Sequence, residues 1–270
     1  MNSGKPKTKA PPAGILLSER DQKLLAHVGK FGISTFEVIH YRFFKGRKRD
    51  AVKSTLRRLC GKGPTYRYLR PVPLYGSRVV YQLTWRGANT VGVSPSLARP
   101  LGIQSRVERL AVLNFIHDLK CEHKRRIISN ARLREHFPLH GHRLPRQRFY
   151  LEERADGDYL GFIVVDHGGH ERRIVRKAVS FLQRFVKREW FDDYLRSGRF
   201  ILTILTLTEF KGRAIAYGLK KLLKQVLGKP LATLHKPFPG SWPLPVEIVV
   251  VPGVINVLPG KSSSKKARRK

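Results

Sequence analysis

The chain has 270 residues, 41% of them hydrophobic, so it can build a real core, in one large domain or two ordinary ones of roughly 100–200 residues each. Its 54 Lys and Arg against 19 Asp and Glu leave a net charge of +35, which calls for a polyanion, nucleic acid being the commonest one. Two cysteines, Cys60 and Cys121, are too few for a disulfide framework and lack C-x-x-C metal spacing.

Residues 1–14 are a Lys/Pro/Gly arm with nothing to bury, either a solvated tail or an arm that orders along phosphates. It has no apolar run, so a signal peptide is not expected; no stretch of about 18 apolar residues exists, so no spanning helix is either. The basic excess is not a tail effect, because residues 18–93 alone hold sixteen basic and four acidic side chains. These features place the chain in the cytoplasm, associated with the nucleoid, and away from membranes.

Residues 15–93 are expected to form three helices and a hairpin. Ser18 is an N-cap with Asp21 at N3; Leu24, Leu25 and Val28 share a face, and Gly29 and Gly32 end the helix. Ser34 is expected to cap a second helix holding Phe36, Val38, Ile39 and Phe43. A basic turn follows, from Lys45 through Arg47 and Lys48, and then a third helix from Arg49 to Cys60, stopped at Gly61. Tyr66–Pro73 and Arg78–Leu83 alternate as two strands around Tyr75-Gly76-Ser77. Helix, helix, helix and two-stranded wing is the winged helix-turn-helix order.

The third helix has two sides. Val52, Leu56, Leu59 and Cys60 form an apolar face, while Arg49, Lys53 and Arg57 recur every four residues beside a row of Asp50, Ser54 and Arg58. A merely solvated face mixes signs to gain i,i+4 pairs; this one has five basic residues, counting Lys48, and one acid. In a helix-turn-helix the second helix of the pair enters the major groove, so Arg49, Lys53 and Ser54 are placed at base edges and Arg57 and Arg58 at phosphates. Lys45, Arg47 and Lys48 flank them, and the wing adds Arg67, Arg70 and Arg78 among Tyr66, Tyr68, Tyr75 and Tyr81, whose alternation reads as packing rather than base stacking.

Residues 94–124 read as a linker around Ser94–Pro100 and a connecting helix from about Gln104 to Lys120 carrying Val107, Leu110, Ala111, Asn114, Phe115 and Leu119. That helix could pair with its copy in a homodimer or pack inside the chain. Residues 125–259 read as an α/β domain with a central mixed sheet: strands at Arg125–Asn130, Arg148–Glu153, Tyr159–Asp166, Phe200–Leu207 and Glu247–Val251, and helices at Arg172–Leu195 and Glu209–Leu227. Residues 260–270 are expected to form a disordered basic tail.

The run Gln82-Leu83-Thr84-Trp85-Arg86-Gly87-Ala88-Asn89, with Val91-Gly92-Val93, the opening Leu17-Ser18-Glu19-Arg20-Asp21, the helix around Arg109-Leu110-Ala111-Val112, and Val164-Val165-Asp166-His167-Gly168 together resemble the replication-relaxation family of plasmids and mobile elements. The resemblance covers most of residues 15–225. It implies a winged helix joined to a domain similar to restriction-endonuclease folds. It also implies roles in plasmid replication or in DNA relaxation for conjugative transfer, with double-stranded DNA and other replication or relaxosome proteins as partners.

A nuclease of that fold needs two or three acids near a Lys to hold Mg²⁺. Here Pro145 is followed by Arg146, and Val164 stands where the family motif has Glu; Asp166 remains, and Asp156 and Asp158 fall at a turn. The expectation is a degenerate nuclease fold with no catalytic residues, no metal and no cofactor. A metal-dependent nuclease with displaced acids and an RNA-binding basic protein are the alternatives. His140, His142, His167, His170 and His123 lack zinc-site spacing, and no Walker loop or G-x-G-x-x-G is present.

Overall fold

The structure, a computed structural model, describes residues 16–61, 67–74, 78–118, 121–129, 132–133, 148–185, 194, 197–227 and 246–251. The chain divides into two compact units, Met1–Val72 with Tyr81–Arg99, and Pro73–Val80 with Pro100–Lys270.

The first unit begins with helix α1 (Glu19–Phe31). Its start is a reciprocal capping box: the Asp21 amide donates to Ser18 Oγ at 3.3 Å, and the Ser18 amide donates to Asp21 Oδ2 at 2.9 Å. Gly32 ends it in the left-handed region at φ 77°, with its amide donating to the Val28 carbonyl. Gly29 lies inside the helix rather than at its end.

Ser34 does not cap the second helix. It forms the short strand β1 (Ser34–Thr35) and is buried, with its hydroxyl 3.1 Å from His27 Nε2. The strand engages the Ser34 backbone, so the cap moves one residue on. Thr35 Oγ1 accepts from the Val38 amide and starts α2 (Phe36–Phe43).

Helix α3 (Arg49–Cys60) buries Val52, Thr55, Leu56 and Leu59. Strands β2 (Leu69–Pro73) and β3 (Val79–Leu83) follow, and the three strands take the order β1-β3-β2. Leu24, Leu25, Val28, Ile39, Phe44, Val52, Leu56, Leu59, Leu69 and Leu83 make one core beneath them.

Two further features of this unit depart from the expectation. Residues after β3 form a helix, α4 (Trp85–Thr90), capped by Thr84. Its Gly87 is forced: a Cβ there would lie 2.1 Å from the Tyr68 carbonyl oxygen. The segment Ser94–Pro100, expected as a linker, contains a 3-10 turn at Pro95–Ala98 tied to the hairpin. The Gln82 amide donates to the Leu97 and Arg99 carbonyls, and Arg70 donates to the Ala98 carbonyl.

The second unit is α/β. After α5 (Ile103–Ile116) come β4 (Lys124–Ile127), β5 (Phe149–Arg154), β6 (Gly157–Val165), α6 (Glu171–Phe185), β7 (Phe200–Thr206), α7 (Glu209–Leu227) and β8 (Val246–Val250). The five strands form one mixed sheet in sequence order. The pairs β4–β5 and β5–β6 are antiparallel; β6–β7 and β7–β8 are parallel. Each parallel step needs a crossover, which α6 and α7 supply.

Alternate strand residues sort onto the two faces. Leu160, Phe162, Val164, Leu202 and Ile204 pack with Ile174, Val175, Ala178, Leu182, Ile215 and Leu219 of α6 and α7. The opposite face carries Tyr150, whose ring meets Phe115 of α5 edge-on at 5.1 Å. β7 is buried along its whole length, as the middle of a parallel run should be. α5 ends at Ile116, short of the expected Lys120. Leu119, Lys120, the C-terminal part of the expected Arg172–Leu195 helix, and Tyr66 and Tyr75 lie outside the described residues, apart from Tyr194.

Candidate nucleic-acid interface

Helix α3 separates its residues as its periodicity requires. Its apolar side packs under α1 and α2, and Arg49, Lys53, Ser54 and Arg57 are exposed on the rest of its surface. The preceding turn exposes Lys45, Arg47 and Lys48 and is pinned from inside by the buried Phe44. The Arg47 amide donates to the Phe44 carbonyl at 2.8 Å, and His40 Nε2 lies 2.9 Å from the Arg47 carbonyl. Gly46 takes the left-handed φ of 76° that this turn needs.

Seven of the eleven basic or polar positions expected at DNA therefore lie exposed within the one stretch from Lys45 to Arg57. Their carboxylate neighbours are few. Arg49 lies 4.6 Å above the Phe36 ring and 3.8 Å from Glu37, and Lys53 bonds Asp50 at 3.0 Å. All four charged groups of these two ion pairs are exposed, so both pairs are weak.

The remaining four positions are placed differently. Arg58 donates to Asp21 Oδ2 at 2.6 Å and to the Leu16 carbonyl at 3.3 Å. Asp21 is fully buried. Burial pushes its carboxyl up, but bonds from Arg58 and Ser18 outweigh this and hold it below its ordinary value. Arg58 thus joins α3 to α1. Arg70 also serves the scaffold, through Gln82 and the Ala98 carbonyl. Arg67 is half-buried, and beside it burial pushes the Cys60 thiol up to about 11, so this cysteine is not a ready nucleophile. Arg78 is exposed at the start of β3. Tyr68 is buried under the Arg86 guanidinium at 4.9 Å, and Tyr81 is half-buried.

Several described carboxylates of the second unit are paired with cations. Asp166, at the end of β6, is fully buried; Lys211 Nζ lies 2.8 Å from its Oδ1 and 2.7 Å from its Oδ2, and the Gly168 amide donates to Oδ1. Val164, two residues earlier, is packed in the apolar cluster under α6 and α7. Arg146 lies outside the described residues. Asp156 sits in the β5–β6 turn and accepts from the Tyr159 hydroxyl, while Asp158 belongs to β6.

Sequence reasoning missed the buried polar layer on the α5 side of the sheet. Arg125 donates to Glu152 at 2.7 Å and to Glu247 at 2.9 Å, and lies 4.0 Å from the centre of the Phe115 ring. Burial pushes the Glu152 carboxyl up, yet bonds from Arg125 and Arg154 hold it below its ordinary value. Glu247 also accepts from Thr203 Oγ1, which lies 2.6 Å from the Tyr150 hydroxyl. These partners come from four strands. The available signal was the strand parity that puts an ionisable residue on a covered face.

A second cluster joins Glu108 of α5 to buried Arg148 at 2.5 Å and to His167 at 3.2 Å. His170 Nδ1 accepts from the Arg172 amide at the start of α6. His140 and His142 lie outside the described residues. Among the described residues, no group of three or more His, Cys, Asp or Glu side chains is placed to share a metal ion. No described helix is long and apolar enough to cross a membrane. Neither a protein-family model, nor a curated protein, nor a solved structure matches the chain.

Proposed function

We propose that this protein binds double-stranded DNA without catalysing a reaction on it. The first unit acts as a winged helix whose α3 enters the major groove. The observation that carries this reading is the exposed segment Lys45–Arg57, which supplies six cations and one acid over a helix whose other side is core. Phosphate contacts set affinity, and the groups early in α3, Arg49, Lys53 and Ser54, meet base edges.

Arg67 and Arg78 contribute from the wing, while Arg70 serves the scaffold through Gln82 and the Ala98 carbonyl. The basic second unit, read as a degenerate restriction-endonuclease-like fold, holds flanking DNA. Pairing of Asp166 with Lys211 supports a structural role for the one carboxylate left from the nuclease motif. Such a protein would serve a plasmid or other mobile element as an accessory in replication or conjugative transfer, or as a regulator.

The test is duplex binding across a salt series, on footprinted and random sequences. A slope of log affinity against log salt of about −4 to −6, from five or six neutralised phosphates, is expected with a preference for the footprinted duplex. A flat salt response would overturn the reading.

A further inference from the structure

We propose that the outward face of α7 is a second binding surface, which takes single-stranded DNA by stacking bases on Phe210 and Tyr217. The two rings are 81% and 75% exposed, far more than their size and apolarity favour. They lie seven residues apart, so they share one side of the helix about 10 Å apart along its axis. Arg213, Lys220 and Lys221 are exposed within the same arc, and the one acid of the helix is Glu209 at its first position. The opposite side is committed to the core through Ile215 and Leu219, and Lys211 on the core side is held by Asp166.

Aromatic rings set among cations, with no acid between them, match a strand whose bases and phosphates are both accessible. A duplex keeps its base faces stacked inside and offers the rings nothing. A second copy of this chain would bring Arg213, Lys220 and Lys221 against their own like charges. An anionic membrane would require a helix free to bury its apolar face, and here that face is already buried. The inference goes beyond duplex binding by α3 and rests on it only in the choice of DNA over RNA.

The experiment is fluorescence anisotropy of the full chain with labelled oligo(dT) of about 20 nucleotides, with oligo(rU), a duplex of equal length and anionic phosphatidylserine vesicles as parallel arms. Phe210→Ala with Tyr217→Ala should weaken oligo(dT) binding by about tenfold or more and leave duplex affinity within about twofold. Phe210→Tyr with Tyr217→Phe should retain binding. Substituting Arg213, Lys220 and Lys221 by Gln should lower the salt slope on oligo(dT) by about 2. Unchanged oligo(dT) binding in the alanine variant, equal loss on the duplex, stronger binding to oligo(rU) or vesicles, or a ring-dependent dimer would overturn the proposal. Failure of duplex binding by α3 is read separately, from Arg49→Ala with Lys53→Ala, which should leave the oligo(dT) arm intact.

Discussion

Arg58 and Arg57 are neighbours on α3, yet Arg58 reaches 2.6 Å from the buried carboxylate of Asp21 while Arg57 faces outward. One is a strut between α3 and α1, and the other belongs to the exposed basic surface. Arg58→Ala would leave Asp21 charged, buried and short of its strongest partner. The expected loss is about 2 kcal/mol, below the full value for a buried pair because the Arg58 side chain is 38% exposed. Arg57→Ala should change stability by less than about 0.5 kcal/mol and weaken duplex binding. Urea unfolding and duplex titration on both variants measure the difference.

The same pair gives the fold a pH dependence. The folded Asp21 carboxyl is held below its ordinary value of 3.8, so its contribution is fully present above that value and is lost as pH falls through the folded value. Glu108 and Glu152, also held below their ordinary 4.5, act in the same direction in the second unit. Stability should therefore be level near neutral pH and fall below about pH 4.5. Asp21→Asn should be less stable than wild type at pH 7, with the gap narrowing on acidification. Thermal unfolding across pH 3–7 checks this, and a constant gap would contradict it.

In the second unit Tyr150 lies flat over Gly161 of the neighbouring strand and reaches its hydroxyl to Thr203. A Cβ on Gly161 would sit 2.0 Å from the ring. Gly161→Ala should cost about 3 kcal/mol, because the ring must leave its place in a packed layer. In a Tyr150→Ala background the same change should cost far less. A double-mutant cycle by urea unfolding would show this coupling.

The extent to which the fold is legible in the sequence follows from the range of the interactions. Helix α3 runs from Arg49 to Cys60 as expected, because a strong apolar period and Gly61 are local signals. α7 likewise matches its expected Glu209–Leu227. Ser34 misleads because its strand partner lies in β3, and Ser is if anything the better cap than the Thr35 that takes the role. The 94–100 segment reads as linker because its hydrogen bonds come from Arg70 and Gln82, which no local pattern announces.

The candidate site divides in the same way. The stripe Arg49, Lys53, Arg57 is visible as a period of four, and the structure leaves it exposed. That Arg58 and Arg70 turn inward could not be read, since their partners lie 37 and 28 residues away. The Arg125–Glu152–Glu247 layer is less legible still: its most distant pair is separated by 122 residues, and only the strand register brings it together.

Reading of duplex DNA by the exposed face of α3 is open to one decisive comparison. The most direct measurement is the ratio of affinities for a footprinted and a random duplex, at fixed salt, for wild type and for Arg49→Ala with Lys53→Ala. The wild-type preference should drop by about tenfold or more in the variant, with Arg57→Ala weakening both duplexes alike. An unchanged ratio in the Arg49 and Lys53 variant, or no preference in wild type, would contradict it.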